Sequence, residues 1–150
     1  MRQFAFVLAS ILVSTSFATA QYLPPKQSPV QITTGGTAEP AIAAARRITR
    51  EEAIKLVRAG KAVYLDVRSK ASYDQGHITG ALSMPNSQIV GRMRELPVGK
   101  TIITYCACQK EHTAAVAVVT LNNAGRRDVA ALVGGWDEWK ALGLPIEKTR

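Results

Sequence analysis

Thiols and imidazoles are scarce in this chain: 150 residues hold two cysteines and two histidines, so any nucleophile or metal site must be assembled from those four residues and eleven carboxylates. Aromatic residues make up 6% and do not interleave with the Lys and Arg side chains, which removes the base-stacking surface of a nucleic-acid binder. Nothing recurs at a fixed period, and neither glycine nor charge is enriched, which excludes repeat arrays, collagen and long coiled coils. No apolar run reaches the roughly 18 residues of a membrane span. Paired carboxylates, a serine triad and a phosphate-binding glycine loop are also missing. What is present, 47% hydrophobic residues in 150, suffices for one domain with its own core and not for two.

The first twenty residues read as a secretory signal. Arg2 precedes an apolar run from Phe4 to Phe17, broken by Ser10, Ser14, Thr15 and Ser16, and Ala18-Thr19-Ala20 supplies a small-x-small cleavage site. Residue 21 is Gln, which speaks against a lipid-modified terminus. The expectation is cleavage after Ala20, export to a periplasm or secretion, and no membrane span afterwards. The remaining chain would carry 18 bases against 11 acids, a formal charge of +7. Apart from Arg46, Arg47 and Arg50, and the pair Arg126-Arg127, those bases are scattered. They read as a solvated surface that favours anionic small molecules, with no nucleic-acid partner.

Residues 21–45 contain four prolines, Gly35-Gly36 and little periodicity, and are expected to form a flexible leader. The alanine run Ala41 to Ala45 could extend a helix, but it shows no apolar face on which to dock. From Ile48 the pattern sharpens. Thr49 and Glu52 form a capping box ahead of Ala53, Ile54, Leu56 and Val57, with Gly60 as a stop. Short β-rich runs follow at Ala62–Val67, Ala81–Pro85, Thr101–Tyr105 and Asp128–Gly134. Helical patterns lie at Asn86–Arg94, Thr113–Ala124 and Trp136–Leu142. Alternation of this kind predicts an α/β fold, a mostly parallel central sheet flanked by helices on both faces.

Ligands of such sheets sit beyond the carboxyl ends of the strands, and the segment there with the most reactive side chains is Cys106-Ala107-Cys108-Gln109-Lys110-Glu111-His112. A thiol between a buried strand and a helix beginning near Thr113 lies where backbone N–H groups converge and the helix dipole is positive. An ordinary thiol ionises near ~8.5, and this setting favours the thiolate. The same cradle would hold an oxyanion or a charged persulfide, with Lys110 and His112 as nearby donors.

Three segments carry a family resemblance. Leu65 to Pro85 (Asp66-Val67-Arg68, Tyr73, His77-Ile78, Gly80, Ala81) resembles the first rhodanese signature, and Ala131 to Glu147 (Gly134-Gly135-Trp136, Glu138, Trp139) the second. Thr101 to Cys106 is similar to the strand that delivers the family's cysteine. Together they imply one rhodanese-like domain from residue 46 to 150, with Cys106 as a sulfur-carrying nucleophile. The implied chemistry takes a sulfane sulfur from thiosulfate, a persulfide or a polysulfide. It then passes that sulfur from a Cys106 persulfide to a thiol, another nucleophile or a protein acceptor. Residues Ala107 to His112 would bind the donor, and no cofactor is implied. The resemblance also gives His77 a packing role. Asp66 and Arg68, at a strand end, are expected to form an internal ion pair that fixes the loops.

Several features depart from the family pattern. The stretch from Cys106 to Gly125 is one or two residues longer than in common single-domain members, and Cys-x-Cys, Glu111 and His112 replace the usual loop residues. A wider cradle suggests a donor other than thiosulfate. Glu111 adds negative charge where an anion should dock, unless it points outward or pairs with Lys110. Cys108 could accept sulfur from Cys106 or resolve the persulfide as a disulfide. Cys106, Cys108 and His112 would give a metal three soft ligands but no fourth, so no metal site is expected. A non-catalytic or redox-sensing binding module, and a dithiol oxidoreductase using Cys106 and Cys108, remain alternative readings.

Overall fold

The computed structural model describes residues 38–149, and the signal and most of the leader expected from the sequence lie outside them. Five strands, β1 (Arg47–Ile48), β2 (Ala62–Asp66), β4 (Leu82–Ser83), β5 (Thr101–Tyr105) and β6 (Val129–Leu132), form a parallel sheet in the order β1-β6-β5-β2-β4. A separate antiparallel pair joins β3 (His77–Ile78) to β7 (Ile146–Glu147). The helices are α1 (Ala38–Ala43), α2 (Arg50–Arg58), α3 (Lys70–Gln75), α4 (Ile89–Arg92), α5 (His112–Asn123) and α6 (Gly135–Ala141). No helix among the described residues is long and apolar enough to cross a membrane.

Strand alternation divides the core in two. On one face Leu65, Ile102, Cys106, Val129 and Ala131 meet α5, Ile89, Leu96 and Ala45. On the other, Tyr64, Ile103, Tyr105, Ala130 and Leu132 meet Ala53, Ile78, Trp136 and Trp139. The apolar runs of β2 and β5 are continuous because both of their faces are covered. α5 is apolar nearly all round for the same reason, and Ala114, Ala115, Ala117, Val118 and Leu121 are fully buried. The Thr49 side chain accepts the Glu52 N–H at 3.3 Å, which starts α2 where the capping box put it.

Two expectations need correction. The alanine-rich end of the leader does dock: α1 is helical from Ala38, Ile42 packs against the α5 side of the core, and Ala45 is buried. One isoleucine and one alanine suffice because small side chains let the backbones approach, a contact too sparse to show as periodicity. The helix expected over Asn86–Arg94 is a single α turn flanked by 3₁₀ turns at Asn86–Gln88 and Met93–Glu95. No side chain caps its start, and Gly91 sits inside it as a poor helix former.

Candidate functional site

Alternation along β5 puts Ile102, Thr104 and Cys106 on the α5 face and Ile103 and Tyr105 on the other. The Thr104 hydroxyl, fully buried, donates to the Ala114 carbonyl at 3.0 Å and ties the strand to α5. Cys106 follows at the strand's carboxyl end, 3% exposed. It is joined to Cys108 by a disulfide with the two Cα atoms 5.6 Å apart.

The loop then turns through a 3₁₀ segment, Gln109–Glu111, in which Lys110 (φ +54°) and Glu111 (φ +53°) are both left-handed. Such a conformation costs a non-glycine residue about 1–2 kcal/mol, so neighbouring contacts must hold it. The N–H groups of Ala107, Cys108, Gln109 and Lys110 donate to no other group among the described residues. The Thr113 N–H, in the first turn of α5, donates to the Cys108 sulfur at 3.3 Å.

What holds the loop comes from α6 and β1. The Trp136 N–H donates to the Cys106 carbonyl at 2.9 Å. That approach requires glycine at 135: φ is +50°, and a Cβ there would lie 2.4 Å from the Cys106 carbonyl oxygen. At the other end of the loop the Gly134 N–H donates to Glu111 Oε1 at 2.8 Å. Arg47 Nε lies 3.8 Å from Glu111 Oε2, and Arg47 Nη1 donates to the carbonyls of Ala43 and Ala45 at the end of α1. Glu111 therefore neither points outward nor pairs with Lys110. It turns inward, its side chain 15% exposed, and Arg47 balances its charge.

Asp66, fully buried at the end of β2, receives Arg68 through two nitrogens, with Nε–Oδ1 at 3.0 Å and Nη2–Oδ2 at 2.5 Å. Arg68 also donates to the Gly76 carbonyl at 2.7 Å, and its guanidinium stands 4.3 Å from the Trp136 ring centroid. This side chain is a fixed wall. It borders a cleft of about 450 Å³ lined by Ser72, Gln75, Ala107, Asp137, Lys140 and Lys148 among others, with the bases outnumbering the one acid. A second cleft of about 400 Å³ opens on the other side of the loop, between α1 and Gln109, Lys110 and His112.

His77 sits away from the loop. Its ring is buried and stacked 3.6 Å from that of Tyr73, with Nδ1 against the Tyr73 carbonyl at 2.8 Å and Nε2 against Glu147 Oε1 at 3.2 Å. Those contacts engage both ring nitrogens. The Tyr105 hydroxyl accepts the Ile78 N–H at 3.2 Å, and burial, with the nearby Asp66 charge, pushes its ionisation far above the ordinary range. It is a packing group and not an acid.

The structure brings Cys106, Cys108 and the loop Ala107–His112 to the ends of β5 and β6, with Asp66 and Arg68 behind the first cleft. Cys106 and Cys108 engage each other, and no cluster of three metal-ligating side chains forms among the described residues. Sequence reasoning assigns no site role to Arg47 or Gly135. Arg47 stands out in the sequence only as part of a basic cluster, and Gly135 only as one position of the Gly134-Gly135-Trp136 motif, with nothing local to show why glycine is needed there.

The pattern that defines rhodanese-like domains matches residues 49–142. Among curated proteins the chain is similar to a helix-turn-helix-type transcriptional regulator of Mycobacterium tuberculosis, 36% identical over 101 residues, covering 67% of this chain and 44% of the regulator. It is also similar to the thiosulfate sulfurtransferase GlpE of Pseudomonas putida, 29% identical, covering 64% of this chain and 86% of that one. A Synechocystis relative is likewise spanned over only 48% of its length, so the chain covers about half of some of these relatives. Among solved structures, the rhodanese-like domain of an Anabaena protein superposes with a TM-score of 0.60 at 32% identity, over 68% of this chain and 78% of that one. Fold, motif order and matched span agree, and the chain belongs to the rhodanese-like domain family.

Proposed function

We propose that the protein is a sulfurtransferase that carries a sulfane sulfur on Cys106. The observation that carries this reading is the placement of Cys106 at the end of β5, inside a turn whose first four N–H groups donate to no partner among the described residues. Such donors stabilise a thiolate, the negative charge of a docked donor and a persulfide alike. Relatives named as sulfurtransferases, including one of Allochromatium vinosum at 35% identity, support it.

The reactive form is the dithiol, reached when a thiol reductant opens the Cys106–Cys108 bond. The Cys106 thiolate attacks the outer sulfur of the donor, the donor's S–S bond breaks, and sulfite leaves from thiosulfate or a thiolate from a persulfide. An acceptor thiolate then attacks the outer sulfur of the Cys106 persulfide, takes it, and restores the Cys106 thiolate. The basic cleft beside Ala107 is where an anionic donor would dock, with Lys140 and Lys148 as its cations. The signal-like N-terminus favours work outside the cytoplasm, where a disulfide persists until a dedicated reductant reaches it.

Intact mass tests the proposal. Reduced Cys108→Ser protein, which has no second thiol beside Cys106, should gain one sulfur, ~32 Da, on incubation with thiosulfate, polysulfide or glutathione persulfide, and Cys106→Ser should gain none. Unchanged mass with every donor would leave a rhodanese-like binding module. The disulfide favours a second reading, plain dithiol–disulfide exchange, whose signature is a wild type that loses two hydrogens while Cys108→Ser takes up no sulfur.

A further inference from the structure

Of the two cysteines, it is Cys108 that the start of α5 serves. Its sulfur accepts the Thr113 N–H at 3.3 Å, at the positive end of a twelve-residue helix, while Cys106 is 3% exposed against the core. The sulfurs are bonded to each other, so the loop brings Cys108 Sγ onto Cys106 Sγ without rearrangement of the strand. Glu111 and Gly134 fix the far end of that loop, and Trp136 its near end. A second thiolate held within bonding reach of the first has a chemical consequence for a sulfur carrier.

We propose that the protein also discharges sulfane sulfur reductively, with Cys108 as the resolving nucleophile that expels the outer sulfur of a Cys106 persulfide as hydrosulfide. This rests on the sulfurtransferase reading above. Cys108 Sγ attacks Cys106 Sγ, the Cys106 Sγ–outer sulfur bond breaks, and that sulfur leaves with the bonding electron pair and the Cys108 proton as HS⁻. The product is the disulfide seen here. The electrons come from the two cysteines, and a dithiol reductant returns them by exchange through Cys108, the more exposed sulfur. The net reaction converts sulfane sulfur and a dithiol into hydrosulfide and a disulfide.

Anaerobic single turnover tests it. Reduced wild type, freed of reductant, receives one equivalent of thiosulfate or, separately, glutathione persulfide, and Cys106→Ser supplies the donor-only background. Wild type should release about one equivalent of hydrosulfide and end ~2 Da below its reduced mass. Cys108→Ser and Cys108→Ala should instead accumulate the +32 Da species and release at least tenfold less. A wild type that keeps +32 Da and releases nothing, or Cys108 variants that release as much as wild type, would overturn the inference and leave the sulfurtransferase reading intact. No sulfur uptake or release by any form would remove both.

Discussion

Glu111 Oε1 accepts the Gly134 N–H at 2.8 Å across 23 residues of sequence, and so fastens the end of the cysteine loop to the turn that begins α6. Two consecutive left-handed residues precede this bond, and the carboxylate that makes it belongs to the second of them. Hydrogen bonds to charged groups contribute about 1.5–3 kcal/mol. Glu111→Ala should therefore destabilise the fold by about 1–2 kcal/mol in urea unfolding and slow sulfur loading at Cys106 about tenfold. Glu111→Gln, which retains an acceptor oxygen, should recover more than half of the stability. Equal losses in both variants would mean that charge balance with Arg47, and not the bond to Gly134, is what matters.

Gly135 tests the near end of the same loop. Alanine there meets both a positive φ and a backbone oxygen at 2.4 Å. Gly135→Ala should cost at least ~2 kcal/mol and lower loading further than it lowers stability, because the Cys106 carbonyl must move. Gly91→Ala, where a Cβ meets nothing within 4 Å, serves as the control and should be neutral or stabilising.

The Asp66–Arg68 pair is buried, with side-chain exposures of 0% and 10%. Removing one partner of such a pair leaves an uncompensated charge and costs about 3–5 kcal/mol. Arg68→Ala should approach that range in thermal or urea unfolding and also loosen the cleft wall against Trp136. Arg68→Lys, which cannot make the two-pronged contact, should recover less than half.

Acid should weaken the β3–β7 end of the molecule. The Gly80 N–H, and then the His77 ring, hold the Glu147 carboxyl below the usual carboxylate range. A carboxyl whose ionisation is depressed by folding contributes stability that is fully present above its unfolded value, about 4.3, and is lost as pH falls through the lower folded value. Melting temperature measured from pH 6 down to pH 3 should therefore fall less steeply in Glu147→Gln than in wild type. Parallel curves would show that Glu147 does not contribute.

The sheet was legible because its central strands are buried on both faces, and β2, β5 and β6 stand where the runs Ala62–Val67, Thr101–Tyr105 and Asp128–Gly134 announce them. The cysteine loop was legible as a place, since a strand followed by a helix leaves its connection at the carboxyl edge. Its internal contacts were not. Nothing local marks Glu111 as an acceptor for Gly134, because the partners lie 23 residues apart and meet only when β6 lies beside β5. Two-residue strands such as β1, β3 and β7 carry no period to read. The apolar docking of α1 rests on Ile42, with Ala45 just past the helix end and Arg47 on its last carbonyls, too little to register against four prolines.

That small helix lies ahead of residue 49, where the family's shared span begins. α1 forms one side of the cleft next to Lys110 and His112, and its last carbonyls hold the arginine that faces Glu111. Trimming the protein to residues 49–142 would spare both sulfurs and strands β2, β4, β5 and β6 beneath them, but not β1. It would strip away the shoulder against which the reactive turn leans, together with the arginine that balances Glu111.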